Sequence, residues 1–244
     1  NAAEDDADKT ITITTSGVED GRTVTTTING VSDTCSVSSN TCDVTYAASD
    51  MASLSSGTTY TIAVDVSDTA GNAATQNTGT SFVYDTVAPT ISSIAVTGVT
   101  SGQYGNSDST YTVIVTASEA LSAAPTLSPS GGSVGSGAGS VSDTVWTYTF
   151  TPTDADEAVT LDVAVGAASD SAANLNTAAA TQFAFTHDAT HPTLTIAMAS
   201  NNADNTKATT TDVVTLTITA SESVSNLVCT IDGEATTMGG SGTS

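Results

Sequence analysis

The sequence predicts an all-β chain, a rod of β-sandwiches set end to end with the last one incomplete. Three observations carry that expectation. Apolar residues alternate with polar ones in many short runs, the period of a half-buried strand. Asn, Asp and Gly stand between the runs, where tight turns need them. Residues also recur at a nearly fixed spacing: Pro89 and Glu119 return 103 positions later as Pro192 and Glu222, and Asp68 and Asn72 return 102 positions later as Asp170 and Asn174. A fixed period with matching strands and turns is the mark of a repeat array. No stretch keeps a helical period. Ala-rich 164–180 comes nearest, and Gly166, Asp170 and the Asn174-Leu-Asn176 run interrupt it.

Residues 1–8 are acidic, Ala-rich and without alternation, a linker or ragged start. The first sandwich is expected over 9–87. Lys9-Thr-Ile-Thr-Ile-Thr14 alternates, Val18-Glu-Asp-Gly21 turns, and a second strand ends at Asn29-Gly30, a strong hairpin signal. Cys35 and Cys42 flank turn-forming residues, so a hairpin disulfide is expected, in an oxidising compartment. Tyr60 to Val66 is a strand, Asp68-Thr-Ala-Gly-Asn72 a turn, and Ser81-Phe-Val-Tyr84 the closing strand. The second sandwich spans 88–190. It holds strands at Thr110–Glu119, Trp146–Phe150 and Thr160–Val165, a Gly/Ser-rich loop at 128–140, a turn at Asp170–Asn174 and a closing Phe183-Ala-Phe185. A partial third sandwich covers 191–244, with strands at Leu194–Ile196, Val213–Thr219 and Val228–Ile231 before a Gly-Gly-Ser-Gly-Thr-Ser end. Half a sandwich leaves its inner face uncovered. Either the chain is a piece of a longer protein, or another copy completes the unit by strand donation.

Composition narrows the function classes. Net charge is -23, and Lys9, Arg22 and Lys207 are the only fixed cations. Phosphate backbones and anionic lipid surfaces both call for clustered Lys and Arg, so no nucleic-acid partner and no membrane docking are expected. No apolar run is long enough to span a bilayer, and no signal peptide is visible, so Asn1 reads as a mature or internal start. With Cys35 and Cys42 paired, the sequence holds no fourth cysteine for Cys229; its disulfide partner is expected beyond Ser244 or, less simply, on another chain.

The blocks Asp85-Thr-Val-Ala-Pro-Thr-Ile91, Asp65-Val-Ser-Asp-Thr-Ala-Gly-Asn72 and Asp212-Val-Val-Thr-Leu-Thr-Ile-Thr-Ala-Ser-Glu222 resemble tandem bacterial immunoglobulin-like repeats of large surface, adhesin, filament or surface-layer proteins. Leu54, Gly57 and Tyr60 resemble the corner of fibronectin type III-like sandwiches, in which the Tyr hydroxyl bonds back to the main chain. The resemblance covers nearly everything after residue 9. It implies an extracellular, cell-surface structural protein whose modules space and assemble, with other copies or neighbouring modules as partners. Two other roles stay open: the stalk of a calcium-stiffened adhesin that meets a carbohydrate or cell-surface ligand, and an accessory module of a secreted enzyme.

No residue set points to catalysis. Calcium is the expected cofactor, since it takes oxygen ligands from carboxylates and amides. The candidate ligands are Asp68, Asn72, Asp85 and Glu119, and around the second junction Asp170, Asn174, Asp188 and Glu222; whether the first four share one end of a sandwich is not written in the sequence. Related arrays hold calcium at module junctions; the competing explanation is that Asp and Asn serve only as turn formers. Gly131-Gly-Ser-Val-Gly135 fits the esterase Gly-x-Ser-x-Gly spacing but sits in a Gly/Ser run with no following helix. His187 and His191 are expected in a solvated linker. Trp146, Tyr148 and Phe150 share one strand face, as core or as a sugar-stacking platform.

Overall fold

Strands account for almost all of the regular structure, as the alternation predicts. The computed structural model describes residues 8–106, 110–140, 143–154, 156–225, 227–231 and 234–235. Residues 1–7 of the expected linker and the Gly/Ser-rich end from 236 lie outside the described residues. The chain divides into two compact units, Asn1–Asp188 and Ala189–Ser244.

The first unit opens with β1 (Lys9–Thr14), β2 (Thr23–Ile28), β3 (Val31–Ser36) and β4 (Thr41–Tyr46). A single helical turn, α1 (Ala48–Met51), follows, then β5 (Thr58–Val66) and β6 (Asn77–Tyr84). Two sheets form: β1 pairs with β4, and β2, β3, β5 and β6 assemble in the order β3-β2-β5-β6. The β2–β3 hairpin turns on Asn29 and Gly30, both at positive φ, as a two-residue hairpin loop requires. Ile28, Val44 and Tyr46 fill the space between the sheets with Met51 and Leu54. The Tyr46 hydroxyl is paired with Thr26 Oγ1 at 2.7 Å, which makes its burial affordable. At the Leu54–Tyr60 corner, the Tyr60 hydroxyl accepts the Ser55 N–H at 2.7 Å, the main-chain bond that the resemblance implies.

The disulfide is made, but it does not staple a hairpin. Cys35 lies on β3 and Cys42 on β4, so the bond ties one sheet to the other. Val37 is buried and donates its N–H to the Arg22 carbonyl, which keeps β3 beside β2. Ser39 and Asn40, at positive φ, then turn the chain across to the second sheet.

The same unit continues with β7 (Ile91–Val96), β8 (Tyr104–Gly105), β9 (Tyr111–Ala117), β10 (Ser128–Ser130), β11 (Gly132–Val134), β12 (Val145–Pro152), β13 (Asp156–Asp162) and β14 (Phe183–Asp188). The sheets run β7-β9-β12-β11 and β10-β13-β14-β8, with β14–β8 parallel and the other pairs antiparallel. Their facing side chains form one core that includes Val113, Val115, Phe150, Val159, Leu161 and Phe185. Its members all lie between 91 and 185, and those of the first sandwich's clusters between 11 and 84, so among the described residues no core cluster runs across Pro89.

Trp146, Tyr148 and Phe150 are core residues, buried on the inner face of β12. The Gly/Ser segment is packed against them. A Cβ at Gly137 would come within 2.7 Å of the Tyr148 ring, and one at Gly139 within 2.6 Å of the Trp146 ring. Glycine is needed there for close approach rather than for flexibility. Ser133 of the Gly-x-Ser-x-Gly spacing lies in β11, far from the strand–elbow–helix that a nucleophile needs. His187 corrects the expectation of a solvated linker. It sits in β14, 3% exposed, with Nδ1 2.7 Å from the Tyr111 hydroxyl. Strand β14 runs further than Phe183–Phe185 suggests, because its pairing with β13 continues to Asp188.

The second unit contains β15 (Leu194–Ser200) paired antiparallel with β16 (Val214–Ala220), and the short pair β17 (Thr230–Ile231) and β18 (Glu234–Ala235). Ile196 stands opposite Ile218 and Met198 opposite Leu216, so the hairpin has one apolar face and one Thr/Ala face.

Candidate functional site: a carboxylate cluster beside the 85–90 connection

Two loops are built on the same plan. Asp68 follows β5; its Oδ1 accepts the N–H groups of Ala70 and Asn72, and its Oδ2 accepts Asn72 Nδ2 at 2.9 Å. Asp170, in the β13–β14 connection, binds Ala172, Asn174 and Asn174 Nδ2 in the same way, the last at 2.8 Å. In both, the Asp side chain stands in for main-chain acceptors that the turn leaves without partners. The hydrogen bonds donated by Asn72 hold the exposed Asp68 carboxyl below the usual range. The first loop uses Gly71 at φ 87°, while the second puts Ala173 at φ 63°. A Cβ in that conformation is strained by about 1 kcal/mol. Ala173→Gly is therefore expected to raise the unfolding free energy by somewhat under about 1 kcal/mol, net of glycine's extra unfolded-state entropy, as read by denaturant melts.

The equivalence of the loops decides which candidate residues meet. Asp85 leaves the end of β6, Glu119 lies just after β9, and Asp170 projects from its loop. One carboxylate oxygen from each lies within 4.8 Å of the other two. Asn174 joins them, donating Nδ2 to the Asp85 carbonyl at 3.1 Å. Asp85 Oδ1 also accepts the Val87 N–H and the Ser56 hydroxyl, which fixes its direction. Asp170 is 3% exposed, and Asp85 and Glu119 are half-buried. Burial, followed by the charges of Asp170 and Asp85, pushes the Glu119 carboxyl above its ordinary value. Three acids are thus held together with no cation in the set, and the cost falls on Glu119.

Asp68 and Asn72 take no part in this cluster; their carboxylate and amide bind each other beside Arg22, which donates to the Asp68 carbonyl. Asp188 ends β14, in register with Asp156. Glu222, in the second unit, has Oε1 buried without a hydrogen-bond partner. Asn176 is a further buried polar residue, with no motif in the sequence to mark it. It is 1% exposed; Oδ1 accepts the Ala168 N–H, and Nδ2 donates to the carbonyls of Ala164 and Ala178. Its only signal was its place in a polar break within an Ala-rich stretch.

Fold and site together define the class: an all-β chain of sandwiches in which three carboxylates and an Asn amide come together beside the 85–90 connection. No family model and no curated protein matches the chain. It is similar to a solved structure described as a Ca2+-stabilized adhesin that helps an Antarctic bacterium reach out and bind ice, at 25% identity and a TM-score of 0.38. The match covers 83% of this chain and 49% of that one, so the chain spans about half its length.

Proposed function

We propose that this chain is a run of immunoglobulin-like modules from an exported surface protein, with a mechanical role, and that calcium bound by Asp85, Glu119 and Asp170 stiffens the passage from the first sandwich to the second. The cluster carries this reading. Three carboxylates with the Asp85 main chain tethered beside them are ligands of the type calcium takes, and no His or Cys is among them. Asp85 belongs to the connection and the other two to the second sandwich, so a shared cation would restrain the connection directly. The disulfide fits an oxidising compartment, and the strong negative charge fits a soluble, mutually repelling surface protein.

Glu119→Gln tests the cation directly. Glu119 has no part in the loop hydrogen bonds, so the change removes charge and leaves the loop intact. In EDTA the variant is expected to melt at or above the wild-type temperature, since a carboxyl crowded by like charges is gone. Calcium is expected to raise the wild-type melt by several degrees, with about 2.7 kcal/mol available at one hundred times the dissociation constant, and to leave the variant unmoved. The pH dependence follows from the raised Glu119 value. Its contribution to stability is full when the group is protonated, below the ordinary Glu range, and is lost as pH rises through the raised value; calcium should restore stability above that point. An equal calcium shift in both proteins, read by calorimetry, would dismiss the metal.

A further inference from the structure

The second sandwich is entered at one end and left at the other. The chain comes in from the 85–90 connection at Ile91, which stands opposite Ala117 at the finish of β9. It goes out at Asp188, next to His187, whose ring meets the Tyr111 hydroxyl at the start of β9. A pull along the chain therefore stretches this sandwich lengthwise. Strands β7 and β8 belong to the incoming segment, and β14 is the outgoing one.

Strand β8 lies parallel to β14, with Tyr104 and Gly105 opposite Thr186 and His187. The contact extends upstream of β8. The Gly102 N–H donates to the Ala184 carbonyl at 2.7 Å, the Thr186 N–H to the Gln103 carbonyl at 3.0 Å, and the Ser101 hydroxyl to the Ala184 carbonyl at 3.3 Å. A pull draws β8 toward the entry and β14 toward the exit, so the two slide past each other along a shared axis. The hydrogen bonds lie across that axis and are loaded together, instead of opening one at a time from a fork. Strand β7 is bonded to β9 over a longer stretch, but β9 belongs to the other sheet. From there the load reaches β14 only through packed side chains, such as Tyr111 against Phe185. Among the described residues, the β8–β14 contact is the one main-chain-bonded step from the incoming segment to the outgoing strand.

The carboxylate cluster offers a second route. Asp85 precedes both β7 and β8, and Asp170 lies in the connection that leads from β13 into β14. A cation shared by the cluster joins the chain ahead of β7 to the chain ahead of β14. Tension then runs through Asp170 and the backbone to the exit, and β7 and β8 are out of line. We propose that the β8–β14 contact bears tension applied through the second sandwich, and that a cation held by Asp85, Glu119 and Asp170 lifts the tension from it. The second half rests on the calcium reading given above; the first half needs no metal.

Lifetimes under constant force, with the 244-residue chain held by its two ends, read both halves. Release of residues 91–188 identifies the second sandwich by its step, at about 3.5 Å per residue. Thr186→Pro removes the N–H that Gln103 accepts. In EDTA it is expected to shorten the lifetime about tenfold, or about 1.4 kcal/mol of barrier, within reach of one main-chain hydrogen bond. Thr186→Ala keeps the N–H and should match the wild type. Ser101→Ala lies in an exposed turn that folds without its hydroxyl, and should shorten the lifetime about twofold. In calcium, the wild type and Thr186→Pro are expected to last longer than in EDTA and equally long, while Glu119→Gln keeps its EDTA lifetime. Circular dichroism melts check that each variant folds. Wild-type lifetimes in EDTA for both Thr186→Pro and Ser101→Ala would overturn the load-bearing contact. A lifetime that calcium lengthens with the tenfold gap still open would overturn the diversion. Calcium that moves neither melt nor lifetime would remove the metal and the diversion together, and the EDTA lifetimes would still judge the contact.

Discussion

Asn176→Ala is expected to destabilise the Asn1–Asp188 unit by about 4 kcal/mol, enough to lower its melting temperature by roughly 10 °C. Two terms build this figure. The Asn176 side chain makes three hydrogen bonds to main-chain groups of residues 164–178, and alanine replaces none of them. At 1% exposure, water cannot enter to take its place without opening the loop. The Ala168 N–H and the Ala164 and Ala178 carbonyls would then be left wholly or partly unsatisfied, at about 1–3 kcal/mol apiece, with relaxation recovering part of the sum. Leu175→Ala is the control. Leu175 is the neighbour in sequence, is exposed, and should change stability by no more than about half a kcal/mol. Chemical denaturation of both variants checks the pair, and equal losses would show that the segment is sensitive to any change rather than pinned by the amide.

Asn176 also marks the limit of what the sequence discloses. Its residue type is visible, but its burial depends on the β13–β14 connection folding back on itself. Where structure follows from a few neighbouring residues, the sequence was legible. Asn29-Gly30 announces its hairpin, Tyr60 its corner, and the alternation of Trp146, Tyr148 and Phe150 its inward face. Where structure depends on which sheet a strand joins, it was not. The spacing of Cys35 and Cys42 is as compatible with a hairpin as with the inter-sheet bond observed, because a tight corner and a hairpin turn use the same residues. His187 looked like part of a polar linker because its partner, Tyr111, is 76 residues away.

The candidate site shows the same division. Every member of the cluster stands out in the sequence as an oxygen-bearing side chain, Glu119, Asp170 and Asn174 also by their recurrence. Their grouping was hidden, since nothing local says which loops share an end of a sandwich. Asp85 and Glu119 follow the Asp68–Asn72 loop in the chain, yet the structure sets them beside the later loop, Asp170 to Asn174. Nor could the glycines at 137 and 139 be distinguished from a flexible linker, because the rings they touch lie on a strand reached only after the loop closes.

Two aspartates with the same hydrogen bonds should respond very differently to replacement by alanine. Asp68→Ala and Asp170→Ala each remove a carboxylate that holds two N–H groups and an Asn amide. Around Asp68 the loop is exposed, and water can take up the freed donors, so the melt is expected to move little. Around Asp170 the aspartate and Asn174 are buried, and the freed donors have no such recourse. Asn174 also loses the partner that aims Nδ2 at the Asp85 carbonyl, so the loop and the connection come apart together. Asp170→Ala should cost about 3 kcal/mol in EDTA, with the lost hydrogen bonds outweighing the relief of Glu119 from a neighbouring charge. It should also abolish the rise with calcium, whereas Asp68→Ala should keep that rise in full. Calorimetry of both variants with and without calcium separates the two contributions. A calcium response surviving Asp170→Ala would remove that carboxylate from the ligand set, and equal losses in EDTA would mean that the turn hydrogen bonds, rather than their burial, set the stability of this connection.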